Sequence, residues 1–147
     1  MAFDIYAFDL FAAPRDRHDF LDWVRRSFRE IDGPLGCDPT RLTPALRNWH
    51  HDMAHSFPGE ADPHRFDVFS ANAARNASYR FTPAAIQASF NWDSSGPASY
   101  RARRAAQAHV VGLFEASSND GAVWMLSGRN RWEVVHRADD ADLRRSC

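Results

Sequence analysis

Phe3, Ile5 and Ala7 alternate with Asp4, Tyr6 and Phe8 near the start of the chain, which predicts a strand over residues 2–9. Bulk on both sides of that alternation suits a central place in a sheet, where neither face meets water. Pro14 ends the segment, and Asp16 opens a helix to about Glu30, with Phe20, Trp23, Val24 and Phe28 at helical spacing and Arg25, Arg26 and Arg29 flanking them. Asp32, Gly33, Pro34 and Gly36 stop it. Thr43 followed by Pro44 marks a second helix start, a capping hydroxyl and then proline at the first helical position. This helix runs to about Phe57, with Leu46, Trp49, Met53 and Phe57 on one stripe.

From Pro58 to Ala77 the periodicity dissolves into an irregular connection, with Phe66 to Phe69 as an optional short strand. Ser78–Phe81 and Ala85–Trp92 then form a hairpin around Thr82, Pro83 and Ala84. Ser94 or Ser95 caps a third helix through about His109, carrying Arg101, Arg103 and Arg104. Val110–Ala116 and Ala122–Leu126 make a final hairpin through Asn119, Asp120 and Gly121, and Trp132–His136 adds an edge strand. The expected fold is therefore a single α+β domain over residues 1–137, in the order β-α-α-β-β-α-β-β. Its sheet should be mainly antiparallel with the helices packed on one face, followed by a charged, fraying tail over 138–147.

Composition narrows the function classes. All 18 cationic side chains of Lys/Arg type are arginines; with no lysine, Schiff-base chemistry and a phosphate-loop lysine are excluded. A formal net charge of -1 argues against wholesale attraction to nucleic acid or to a membrane surface. Cys37 and Cys147 are too few for a disulfide framework and read as free thiols. Asp4 and Asp9 interrupt the apolar start, which has no basic flank, so the first residues do not read as an export signal and a cytoplasmic location is expected.

Four constellations suggest chemistry. His51 and His55 lie four residues apart on the second helix and share a face, the spacing of a zinc pair. The glutamate of a metalloprotease helix is missing, no third ligand follows, and both histidines lie opposite the apolar stripe; a solvated pair is expected, and a small metal-dependent hydrolase is the alternative. His18, Asp19 and Asp22 suit the dipole of the first helix start. Asp93-Ser94-Ser95-Gly96 lacks the paired glycines of a nucleophile turn, so its serines read as caps. Arg101, Arg103 and Arg104, like Arg25, Arg26 and Arg29, offer a phosphate grip for a nucleic-acid or phosphate-binding module. Glu115, Asp19, Asp22 and Glu30 balance them locally, and solvated helix faces are expected instead. Tyr79, Phe81, Phe90 and Trp92 on neighbouring strands suit burial under the helices as well as base stacking.

What remains is a protein-binding surface: Glu60, Asp62 and Asp67 in the irregular loop, Trp92 and Asp93 at a strand end, and outward Tyr100 and Trp132. Large aromatics bordered by charge are the ingredients of interface hot spots. The segments Phe3–Asp9, Thr43–Leu46, Ser56–Pro58, Ile86–Trp92 and Val111–Glu115 together resemble a group of small bacterial immunity or accessory proteins encoded beside polymorphic or secreted toxins. The resemblance spans about residues 2–126 and rests on structural motifs. It implies stoichiometric binding of a cognate toxin domain, with no catalytic residues, no metal and no cofactor.

Overall fold

A computed structural model describes residues 2–29, 31, 36–59, 76–118, 121–127, 129 and 131–137. The elements are β1 (Phe3–Phe8), α1 (Arg17–Arg29), α2 (Pro44–Ser56), β2 (Ala77–Thr82), β3 (Ala85–Phe90), α3 (Ser95–His109), β4 (Gly112–Phe114), β5 (Ala122–Leu126) and β6 (Trp132–Arg137), with short 3₁₀ turns at Pro39–Arg41 and Trp92–Ser94. This is the α+β order expected from the periodicity. The six strands form one antiparallel sheet in the order β2-β3-β1-β4-β5-β6. β1 is central, hydrogen-bonded to β3 on one side and β4 on the other, which explains the bulk on both of its faces. The proposed strand near Phe66, the connecting loop with Glu60, Asp62 and Asp67, and the tail over 138–147 lie outside the described residues.

Two cores sit on opposite sides of β1. Phe3, Ile5 and Ala7 join Ile86, Ala88, Phe90, Tyr79 and Leu113 beneath α2 and α3, whose Leu46, Trp49, Met53, Ala98, Ala102 and Ala106 are buried there. Phe8 and half-buried Tyr6 face the other way, with Phe114, Val123 and Met125, and are covered by Phe20, Leu21, Val24 and Phe28 of α1. The placement of helices on one face thus holds for α2 and α3, whereas α1 takes the second face. The reason is that Tyr6 and Phe8 need cover that the α2–α3 layer, on the far side of the pleat, cannot provide.

Local signals place the helices. Thr43 Oγ1 accepts the Leu46 N–H at 3.3 Å, with Pro44 beginning α2. Asp16 accepts the Asp19 N–H at 3.1 Å at the start of α1. Ser94 holds the N-cap position of α3, but its side chain is buried and makes no capping bond, so the expected serine cap is positional only. α3 buries Ala98, Ala102, Ala105 and Ala106, small residues that let it lie close to the sheet and to Trp49.

Two positions carry testable backbone constraints. A Cβ at Gly112 would lie 2.1 Å from the ring of Phe8, which is fully buried, so Gly112→Ala is expected to cost about 2–3 kcal/mol in urea denaturation. Val110, at the C-terminus of α3, adopts the left-handed conformation at φ 58°, where a glycine is normal and a β-branched residue is strained. Its N–H still closes the helix on the Ala106 carbonyl. Val110→Gly is expected to raise stability by about 1 kcal/mol, because relief of the left-handed strain outweighs the added entropy of the unfolded chain. A lowered denaturation midpoint would contradict that balance.

Candidate interaction site

α2 and α3 lie over β1, β3 and β4, and the half-buried β5–β6 end of the sheet carries Trp124 and Trp132 on the same face. The two indoles stack with centroids 4.6 Å apart and planes 13° apart. Arg103 of α3 places its guanidinium 5.5 Å from the Trp124 ring centre. That guanidinium is held from below: its Nε donates to Glu115 Oε1 at 2.6 Å and an Nη donates to Oε2 at 3.0 Å. The Trp124 indole N–H donates to the same Oε2 at 3.3 Å. Glu115 is 1% exposed and sits just beyond β4, so its charge is matched inside the protein by a side chain that is itself nearly half in water. At the other end, the Trp132 indole N–H donates to the Val111 carbonyl at 3.3 Å. The product is a fixed ladder of one guanidinium and two indoles across α3, β5 and β6.

Tyr100 lies one turn before Arg103 and is 66% exposed. Tyr100, Arg103, Arg104, Gln107 and Val110 all face outward at helical spacing, and Val110 is 52% exposed. The strand register brings the end of this stripe back to the ladder. Leu113 pairs with Trp124 and Leu126 pairs with Trp132, so continuing β4 backward by two residues sets Val111 beside Leu126 and Trp132. One band therefore runs from Tyr100 along α3 to Val110 and across to Trp132.

Of the residues expected to bind a partner, Trp132 belongs to the ladder and Tyr100 lies on α3 one turn before Arg103, with no contact between the two. Trp92 and Asp93 sit at the other corner, where β3 turns into α3; Trp92 is 42% exposed and packs edge-on against Phe3 at 5.1 Å. Glu60, Asp62 and Asp67 lie outside the described residues. Reasoning from spacing missed Trp124, because Ala122–Leu126 is apolar throughout and gives no sign of which residue reaches water. It also missed Phe11, 99% exposed in the turn after β1, where its N–H donates to Asp9 Oδ1 at 2.9 Å.

The other chemical candidates separate. His51 and His55 are exposed, as their angle on α2 requires, while His50 packs edge-on against Tyr79 and Phe81. Among the described residues no three His, Cys, Asp or Glu side chains converge as metal ligands. Asp52 instead pairs with His109 of α3 at 2.6 Å, bridging the two helices. Tyr79, Phe81 and Phe90 are buried beneath α2, so their strands offer no stacking platform. Asp22 bridges Arg25 and Arg26, and the hydrogen bond from Arg25, aided by the charge of Arg26, holds its carboxyl below the ordinary carboxylate range. Cys37 and Arg41 line a cleft of about 380 Å³ beside Thr82 and Pro83, but burial pushes the Cys37 thiol up, the opposite of an activated nucleophile. Among the described residues no helix is long and apolar enough to cross a membrane.

No family model matches the chain, and no curated protein or solved structure matches it either.

Proposed function

We propose that this protein is a non-catalytic binding module of the immunity type, which neutralises a cognate bacterial toxin domain by stoichiometric association in the cytoplasm. The observation that carries the reading is the Arg103–Trp124–Trp132 ladder beside exposed Tyr100. Arginine, tryptophan and tyrosine are the side chains most enriched among interface hot spots, and here the guanidinium and indoles are held in place before any partner arrives. Packing the ladder on Glu115 lowers the entropy lost on binding. The resemblance to small immunity-type proteins supplies the class of partner.

The test is to read the adjacent genes for a toxin-type domain and to co-express any such domain with this protein; neighbours that encode none count against the reading. Protected growth, a one-to-one complex in solution, and loss of both with Tyr100→Ala are expected. Tyr100 is largely in water, so its removal leaves the fold intact. Unprotected growth together with no complex would refute the reading.

A further inference from the structure

The β5–β6 hairpin fixes which way the backbone groups of β6 point. The Ser127 N–H donates to the Arg131 carbonyl at 2.6 Å, and Met125 faces Glu133 two residues on. The pairs 127–131 and 125–133 are therefore the ones that bond across the hairpin. Trp132 and Val134 alternate with them, so their N–H and C=O groups point away from β5, along the outer edge of the last strand in the sheet. Among the described residues no hydrogen bond reaches these four groups. The opposite edge, β2, is covered at both ends by the protein's own chain. There the Phe81 carbonyl accepts the Cys37 N–H at 2.9 Å, and the Ala77 N–H donates to the Pro58 carbonyl at 2.9 Å.

The open stretch is short and has defined ends. Val123 pairs with His136 and Trp124 with Val134, which leaves Val135 over as a bulge. Beyond the bulge the Arg137 carbonyl accepts from Arg17 Nε at 2.9 Å. At the near end Arg131 is bonded back to Ser127. The side chains on the stretch are of two kinds. Trp132 and Val134 are half-buried and lie opposite Leu126 and Trp124, on the ladder face. Glu133 lies opposite Met125, on the α1 face, where it is exposed and makes no ion pair among the described residues.

We infer that an extended segment of a partner protein adds to β6 as a further antiparallel strand across Trp132–Val134. It presents apolar side chains beside Trp132 and Val134 and, between them, a basic side chain opposite Glu133. This rests on the protein-binding reading above and adds how the partner's contact segment is held. Backbone bonds supply the affinity of such an addition, and the flanking side chains supply its specificity. A strand seated here also continues the Arg103–Trp124–Trp132 ladder, because Trp132 belongs to both. A second copy of this chain fits badly. The symmetric register that uses all four groups sets Trp132 against Val134 of the other copy, and so opposes the two Glu133 carboxylates where side chains come closest. Nucleic acid has no row of amides with which to complete the edge.

The experiment titrates the full chain with a synthetic heptapeptide, valine-arginine-valine at its centre and threonines outside, followed by tryptophan fluorescence and calorimetry. Three further peptides are compared: one N-methylated at both valines, one N-methylated at the arginine, and one with glutamate in place of arginine. The valine amides face β6 in the inferred pairing and the arginine amide faces away. The parent and the arginine-methylated peptide are therefore expected to bind alike, and methylation at the valines to weaken binding about tenfold. The glutamate peptide is expected to bind about fivefold more weakly. Val134→Pro removes one outward N–H and no bond to β5, so it is expected to keep the fold by circular dichroism and weaken binding about fivefold. Should that variant unfold, the methylated peptides still decide, because they leave the protein unchanged. No binding of the parent peptide, equal binding of the valine-methylated one, preference for glutamate, or indifference of a folded Val134→Pro each overturns the added strand. The co-expression test separates these failures from that of the binding reading: a protective complex that withstands Val134→Pro keeps the module and discards the strand addition.

Discussion

Replacing Trp49 with alanine is expected to lower the free energy of unfolding by about 3–5 kcal/mol, measured by urea denaturation. Trp49 heads the fully buried side chains, lies between α2 and α3, and donates its indole N–H to the Ala102 carbonyl at 3.2 Å. Its neighbours on α3 are alanines, which cannot reach into the space an absent indole leaves. The cavity would therefore persist, and residual cavity volume is what moves a large-to-small substitution to the costly end of its range. Trp49→Phe keeps most of the volume and loses the hydrogen bond, so its cost should be nearer about 1–2 kcal/mol. A Trp49→Ala loss below about 1 kcal/mol would mean that α2 and α3 close up freely, against the close packing described here.

Removing the guanidinium from Glu115 is the second large effect. Arg103→Ala is expected to cost about 2–4 kcal/mol, because a carboxylate with almost no water contact keeps, among the described residues, only the Trp124 indole as a side-chain donor. The figure sits below that for a fully enclosed pair, since Arg103 is 46% exposed and water can partly replace it. A double-mutant cycle with Arg103→Met and Glu115→Met isolates the pair. The double variant should be more stable than Arg103→Ala, since it leaves no buried charge behind. If Arg103→Ala proves neutral while Glu115→Met is costly, the carboxylate is held by other groups and the ladder is not anchored as described. The same variant disorders the Arg103 end of the band, so lost partner binding must be read beside that of Tyr100→Ala, which leaves Glu115 satisfied.

Much of this fold is legible from spacing. The stripe Leu46–Trp49–Met53–Phe57 is buried along its length, the Thr43–Pro44 start holds, and the two-residue turn at Pro83 and Ala84 joins β2 to β3. The local balance between Glu115 and the α3 arginines was also visible, and it resolves onto Arg103. The band itself was only half visible. Tyr100 and Trp132 stood out as bulky residues in polar surroundings, but nothing local relates α3 to β6. Trp92 and Asp93 satisfied the same criterion and lie elsewhere. Hydrophobic periodicity tells which side of an element is dry, not which dry sides meet.

Periodicity, capping residues and turn residues determined the elements, their order and the core-facing sides of α1 and α2, because these depend on interactions within a few residues. Tertiary structure decided the rest: that α1 covers the second face, that Val110 is held in a strained conformation, and that Arg103, Glu115, Trp124 and Trp132 form one unit. Those outcomes depend on strand register and on where α3 crosses the sheet. Such contacts join residues far apart along the chain, and no short window of sequence contains both partners.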